Sequence, residues 1–136
     1  MLMKPASLAA ITLVLVACTP KPEGNPNTFD LICVERGTRI GHDGSRTGMV
    51  DTRRYSIDLD RRSWCFTSSC ENTLWPIRRF DAGVIVLHDE EWGTTEIRRA
   101  SGEISTNSPL RASHAGYISN GKCTKAPFTP LPPSRL

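Results

Sequence analysis

The chain has 136 residues, of which 38% are hydrophobic and 23% are charged. These proportions are ordinary for a globular domain and exclude a wholly disordered chain, and the length leaves room for one hydrophobic core but not for two full domains. The formal net charge is only +3, which excludes a strongly acidic or strongly basic protein.

The first eighteen residues carry the pattern of an export signal. Lys4 precedes a run of ten apolar or small residues, 8–17, which ends at Cys18. A transmembrane helix needs about 20 apolar residues, so this run is too short to cross a bilayer and is typical of a secretory signal peptide. We therefore expect residues 1–17 to be a signal peptide.

The end of this run, Leu15-Val16-Ala17-Cys18, resembles the lipobox of bacterial lipoproteins. In that family the Cys thiol is acylated and the chain is cut before it, so the resemblance implies that Cys18 is a lipidated first residue, with fatty acids such as palmitate. Two or more acyl chains hold a protein stably on a membrane. Thr19 stands where inner-membrane lipoproteins often carry Asp, which favours the outer membrane, with the domain in the periplasm and no nucleic-acid partner. The alternative is an ordinary signal peptide or anchor with an incidental Cys.

The rest of the chain divides into a tether, a domain and a tail. Residues 18–28 are rich in Pro and Asn and have no apolar residue to bury after Cys18, which predicts a flexible tether. A folded domain is expected over residues 29–125. The Pro-rich residues 126–136 cannot form a central strand and are expected to lie extended against the domain or to fray.

Short runs of β-forming residues follow one another along residues 29–125. The first run is 29–34, and a loop containing Gly37, Gly41, Gly44 and Gly48 is expected to separate it from residues 55–59, where apolar and polar residues alternate. A turn at 60–63 is expected to join that strand to residues 64–66 in a hairpin.

Further strands are expected over residues 75–80, 84–87, 94–99 and 104–106, with turns at 81–83, 90–93 and 101–102. Asn120-Gly121 is a favoured two-residue turn and predicts a hairpin between residues 117–119 and 122–124. Helical periodicity does not persist anywhere in the domain. The sequence therefore predicts an all-β fold, a single small antiparallel sandwich or barrel-like meander.

Four cysteines follow Cys18, and an even number in an exported chain favours disulfides. They are Cys33, Cys65, Cys70 and Cys123. Of the three pairings, we prefer Cys65 with Cys70, since four intervening residues can form a bridgeable turn, which leaves Cys33 with Cys123. A zinc site made of the same thiols is the alternative, but their spacing lacks the paired C-x2-C of structural zinc sites.

Two histidines have neighbours that could support chemistry. His88 is followed by Asp89, Glu90 and Glu91, which could bind a divalent ion, although one strand turns only alternate side chains to one side. His42 lies in Gly-His-Asp-Gly-Ser, which has the residue types of a hydrolase triad, but a triad depends on tertiary geometry and not on adjacency. We therefore predict no catalytic, cofactor or metal site.

Arginine and tryptophan supply the remaining candidate contacts. Arginine doublets occur at 53–54, 61–62, 78–79 and 98–99. Neighbours in a strand point to opposite faces, which favours solvated sheet faces over a basic patch for lipid phosphates or peptidoglycan carboxylates. Trp64, beside Cys65, is expected in the core, whereas Trp92 in a Glu-rich turn is a candidate partner contact.

Together these features predict a non-enzymatic envelope lipoprotein whose β-domain binds a protein or peptidoglycan partner. In architecture it resembles, loosely, the lipid-anchored lysozyme inhibitors, which are small, all-β and disulfide-bonded. The inhibitory loop motif of that family is not recognisable here, so the resemblance implies no binding residue. The alternative is a small periplasmic hydrolase that uses His42 or His88.

Overall fold

In parts of the first two strands of this protein, every second side chain is buried in the core. In the first strand Phe29, Leu31 and Cys33 are buried toward the core, and Tyr55 and Ile57 repeat the pattern in the next strand. Residues two apart in a strand lie on the same face, so each strand presents one apolar face. The computed structural model describes residues 24–88 and 93–133, and these contain strands and no helix.

Nine strands form one antiparallel sheet in the described residues. They are β1 (Thr28–Ile40), β2 (Arg46–Asp58), β3 (Ser63–Phe66), β4 (Trp75–Pro76), β5 (Arg79–Phe80), β6 (Val84–His88), β7 (Thr94–Arg98), β8 (Glu103–Ser108) and β9 (Gly116–Ala126). Their order across the sheet is β4-β3-β2-β1-β9-β8-β7-β6-β5. The predicted all-β class is confirmed. The same residues contain no apolar helix long enough to span a membrane.

The sheet curls into a half-barrel, so that its two outer parts face each other. The rings of Trp64 in β3 and His88 in β6 meet edge to face with centroids 5.5 Å apart, although their strands lie near opposite ends of the strand order. The core fills the space between the two parts. It consists of Phe29, Leu31, Cys33, Tyr55, Ile57, Leu59, Trp64, Ile77, Ile85, Leu87, Ile97, Ile104 and Cys123.

Both predicted disulfides are confirmed. Cys33 pairs with Cys123, and the two residues lie directly opposite each other in the ladder between β1 and β9, at the middle of the sheet. Cys65 pairs with Cys70 on the other face of β3, in a small second cluster that includes Leu131.

The predicted glycine-containing loop is confined to a turn at residues 41–45, which includes Gly41 and Gly44, whereas Gly37 and Gly48 lie in strands. β1 and β2 pair without interruption from Thr28 opposite Asp58 to Ile40 opposite Arg46 and form one long hairpin. A Cβ atom on Gly37 would collide with the carbonyl oxygen of Ile118 in β9. Glycine is therefore present here because two strand backbones approach closely, and not because the chain turns.

The predicted hairpin turn at Asn120-Gly121 is wrong for the same reason. β9 continues through both residues, pairing Asn120 with Arg36 and Gly121 with Glu35 of β1. A Cβ atom on Gly121 would collide with the carbonyl oxygen of Val34. The long-range pairing with β1 and β8 thus overrides a strong local turn preference.

The remaining strands agree with the sequence except between residues 75 and 80. Turns occur at 59–62, 81–83 and 99–101, within two residues of the expected positions, whereas 75–80 forms two short strands, β4 and β5. Between them the Ile77 N–H donates to the Arg62 carbonyl and the Arg78 N–H to that of Val86. This segment therefore bridges β3 and β6. The turn expected at 90–93 lies almost wholly outside the described residues.

The C-terminal part of the described chain, up to residue 133, packs on the outside of the sheet. Asp30, which is fully buried, accepts hydrogen bonds from the N–H and Oγ1 of Thr129 and from Arg54, and Leu131 covers the Cys65–Cys70 disulfide. The described part of the tail thus lies extended against the domain, one of the two predicted outcomes.

The described end of the predicted tether is also attached. Asn25 and Asn27 donate hydrogen bonds to the Asp60 carboxylate, and these bonds lower its pKa. β1 begins at Thr28, one residue earlier than expected. Residues 25–28 therefore belong to the fold, whereas Cys18 and the rest of residues 1–23 lie outside the described residues.

We expect loss of the Cys33–Cys123 disulfide to destabilise the domain more than loss of Cys65–Cys70. The paired residues are 90 and 5 positions apart in the sequence. By loop-closure entropy the bridges contribute about 4 to 5 and about 2 kcal/mol to the free energy of unfolding. Urea unfolding measures both contributions in two variants, Cys33→Ser/Cys123→Ser and Cys65→Ser/Cys70→Ser. Equal losses would contradict this ranking.

Candidate functional site

A cavity of about 610 Å³ lies inside the curled sheet. The residues that line it include His88 at the end of β6 and Ser108 at the end of β8, and Tyr117, which pairs with Arg39 near the end of β1. Tyr55, which also lines the cavity, pairs with Leu31 near the start of β1. The cavity therefore extends along much of the length of the strands.

Aromatic rings from β2, β3 and β4 form one wall of this cavity. Trp64 and Trp75 are stacked with ring centroids 4.8 Å apart and an interplanar angle of 28°. Phe66 lies edge to face against both rings, and Tyr55 packs against Trp64 and Phe66. Because each ring is held by the others, the wall is rigid before any ligand arrives.

Hydroxyl and imidazole groups from β6, β7 and β8 form another wall. His88 Nε2 lies 2.9 Å from Thr95 Oγ1, which in turn lies 3.2 Å from Thr106 Oγ1. Ser108 extends this polar surface. These groups come from strands that pair side by side, so successive inward positions place them in a row.

A buried carboxylate lies behind the cavity. Glu35 is fully buried and accepts hydrogen bonds from Tyr55 OH at 3.1 Å and Ser119 Oγ at 2.7 Å. Arg53, which lines the cavity, donates from Nε to Asp51 at 2.8 Å, and its guanidinium lies 5.0 Å from the ring centroid of Tyr117. A buried carboxylate is tolerated only where such partners satisfy it.

This network fixes the ionisation of two cavity residues. Burial, followed by the negative charge of Glu35, raises the pKa of Tyr55 well above its usual value, so Tyr55 stays protonated and donates. Burial works against the Arg53 cation, but the hydrogen bond to Asp51 and the nearby Tyr55 and Glu35 outweigh it and raise the pKa of Arg53. Arg53 is therefore a permanent donor.

Two polar atoms of the cavity residues lack a hydrogen-bond partner within 24–88 and 93–133. They are Trp64 Nε1 and Tyr117 OH, both shielded from solvent. The indole N–H can only donate, and the phenol can donate or accept. Buried polar groups are nearly always paired in folded proteins, so each of these atoms requires a partner that the described residues do not supply.

The structure places the predicted residues in different surroundings. Trp64 is buried in the core, as predicted, with 1% of its surface exposed. His88 lines the cavity, whereas His42 is exposed and its Nε2 lies 2.8 Å from the Arg111 carbonyl oxygen. Within the described part of the chain no three His, Cys, Asp or Glu residues converge as metal ligands. The candidate contact Trp92 lies outside that part.

The first arginine doublet behaves as strand geometry predicts. Arg53 faces the cavity, whereas Arg54 faces the other side of β2, where Nη2 lies 3.0 Å from Asp30 Oδ2. The sequence analysis did not identify Arg53, Tyr117 or Glu35 as site residues. The alternation of residues 29, 31 and 33 extends to 35, and this extension is the signal that would have placed Glu35 inside.

We expect Glu35→Ala to lower the free energy of unfolding by about 3 kcal/mol. The change leaves the buried hydroxyls of Tyr55 and Ser119 without an acceptor and removes a negative charge near Arg53. Urea unfolding checks the value. Glu103→Ala is the matched control, because Glu103 is exposed and its loss should change stability by no more than about 0.5 kcal/mol. Similar effects of the two substitutions would refute the network.

No protein-family model matches this chain, and neither a curated protein nor a solved structure shows significant similarity to it. Its function is therefore argued from its own residues.

Proposed function

We propose that this protein is a lipid-anchored, non-enzymatic binding protein of the bacterial envelope. Cys18 holds it on the outer membrane, and the periplasmic β-domain binds a protein or peptidoglycan component through the aromatic cavity. The cavity itself carries this proposal, because it combines a preformed aromatic wall with two buried polar atoms, Trp64 Nε1 and Tyr117 OH, that have no partner in the described chain.

The dimensions and chemistry of the cavity fit a binding site. Its volume of about 610 Å³ is within the usual range for ligand pockets, about 300 to 1,000 Å³. Such pockets are mostly apolar, with a few fixed polar groups that orient the ligand. Arg53 and His88 are fixed in this way, by Asp51 and Thr95 respectively.

The anchoring step predicts that Cys18→Ser abolishes lipid labelling. Cells that express the full chain and are fed an alkyne analogue of palmitate should yield a labelled protein in the membrane fraction, because Cys18 is the acylated residue. The Cys18→Ser chain should carry no label. The Thr19→Asp chain is the control and should remain labelled. Equal labelling of the Cys18→Ser chain would contradict the proposed anchor.

The binding step predicts that the Trp75→Ala variant retains less envelope material than the wild-type protein does. Full-length protein is immobilised in detergent and incubated with purified peptidoglycan sacculi or with solubilised envelope proteins. Wild type and the control Val50→Ala should retain the partner, since Val50 is 61% exposed and outside the cavity. Trp75→Ala should retain at least tenfold less, because the stacked wall is lost.

The salt dependence of retention distinguishes binding through the aromatic cavity from binding through exposed arginines. Retention through the aromatic cavity should persist at about 1 M salt, whereas contacts through exposed arginines are screened. Retention by Trp75→Ala equal to that of wild type would exclude the cavity as the binding site.

One contact favours a second candidate, a small hydrolase. His88 Nε2 and the buried Thr95 Oγ1 lie 2.9 Å apart, within the reach of a general base and a hydroxyl nucleophile. Turnover of p-nitrophenyl acetate that disappears in both His88→Ala and Thr95→Val would favour this candidate. His42 has no part in it, because it does not line the cavity.

A further inference from the structure

The two walls of the aromatic cavity differ in chemistry. Phe66 and Trp75, which pack on the buried Trp64, offer apolar ring surface, whereas Thr95, Thr106 and Ser108 offer hydroxyl groups. A ligand that fills the cavity must therefore be apolar on one side and rich in hydrogen-bonding groups on the other. A purely aromatic or alkyl ligand would leave the hydroxyl wall unmatched.

A pyranose ring has this two-sided character. The axial C–H bonds of one face pack on an aromatic ring, while the hydroxyl groups around its edge exchange hydrogen bonds. The stacking of Trp75 on Trp64 fixes the ring before binding, so little side-chain entropy is lost. The cavity volume of about 610 Å³ accommodates one or two such rings.

The buried donors specify which groups the sugar must carry. Trp64 is 1% exposed, and its unpartnered Nε1–H requires an acceptor. Arg53 is also only a donor, but its charge is already balanced by Asp51 at 2.8 Å and by the nearby Glu35. Arg78, which also lines the cavity, likewise has an interaction partner in the protein. The site therefore needs acceptor oxygens rather than an anion, and a neutral amide carbonyl is a stronger acceptor than a sugar hydroxyl.

We infer that the aromatic cavity binds a neutral pyranose sugar bearing acetamido groups, held between the tryptophan wall and the hydroxyl wall. The inference rests on the proposed binding function and specifies its ligand. Trp64 Nε1 and Tyr117 OH bond the oxygen atoms of the sugar, and the methyl of the acetamido group packs among the aromatic rings.

The test is titration of the full chain in detergent with N,N′-diacetylchitobiose, followed by calorimetry and tryptophan fluorescence. Cellobiose has the same ring linkage and lacks acetamido groups. We expect diacetylchitobiose to bind at least tenfold more tightly than cellobiose, with an affinity that changes little between low and high salt, because no net charge is neutralised.

Tyr117→Phe is the sharpest variant, because it removes only the unpartnered oxygen and keeps the ring beneath Arg53. Affinity for diacetylchitobiose should fall about fivefold to tenfold. The thermal midpoint should stay unchanged or rise, since a buried unpaired hydroxyl is lost. Trp75→Ala should abolish binding, whereas Val50→Ala should bind like wild type.

The outcomes separate this inference from the function on which it rests. Absence of diacetylchitobiose binding at about 10 mM, in protein that still retains envelope material through Trp75, would overturn the sugar assignment and leave the binding function standing. Equal affinity for cellobiose, or an unchanged affinity in Tyr117→Phe, would also overturn it. If the wild-type protein neither binds diacetylchitobiose nor retains envelope material, the binding function itself is refuted.

Discussion

The structure depends on one constraint, which is that a single sheet has to bury its own apolar face. In the described residues no helix and no second sheet covers the inner faces of the strands. The sheet therefore curls until β3 meets β6, and residues 75–80 cross between these two strands. At about 25 cal/mol for each Å² of apolar surface removed from water, burial of this face supplies the main favourable free energy. The Cys33–Cys123 disulfide joins the central strands β1 and β9 inside this curl.

The interior of the sheet changes from apolar to polar along the strands, and the cavity results from this change. Near the start of β1, Phe29, Ile57 and Ile97 fill the core. Farther along, Glu35 and Arg53 take the inward positions, and such groups need fixed hydrogen-bond partners and cannot close-pack like aliphatic side chains. The aromatic cluster around Trp64 stiffens one side of this polar region. A preformed cavity remains, and its shape depends on a fully satisfied buried carboxylate.

Much of the fold could be predicted from the sequence because local signals agreed with the tertiary structure. Alternation at residues 55–59 marked a strand, and an even set of cysteines indicated the two disulfides. The errors occurred where long-range pairing overrides local preference. Gly37 and Gly121 suggested a loop and a turn, yet each lets two backbones approach closely, which depends on a partner strand more than 80 residues away in the sequence. Glycine identity alone does not distinguish these cases.

The candidate site was harder to predict than the fold. Arg53, Tyr117 and His88 lie on three different strands, and only the curl of the sheet brings them around one cavity. In the sequence Arg53 is half of an arginine doublet and His88 precedes an acidic segment. Neither pattern indicates that the two residues line the same cavity. A site assembled from inward positions of many strands has no compact motif.

The pairing of the first strand with the last has a consequence for biogenesis. β1 occupies the middle of the sheet, yet one of its neighbours is β9, and two of the hydrogen bonds to the buried Asp30 come from Thr129. A chain that emerges with its N-terminus first, from a ribosome or through a translocation pore, cannot complete this sheet until nearly all of it has been delivered. Cys33 meets Cys65 and Cys70 before Cys123 appears, so oxidation in order of emergence gives the wrong bridge. Correct maturation would then rely on thiol–disulfide exchange to reshuffle that early bond.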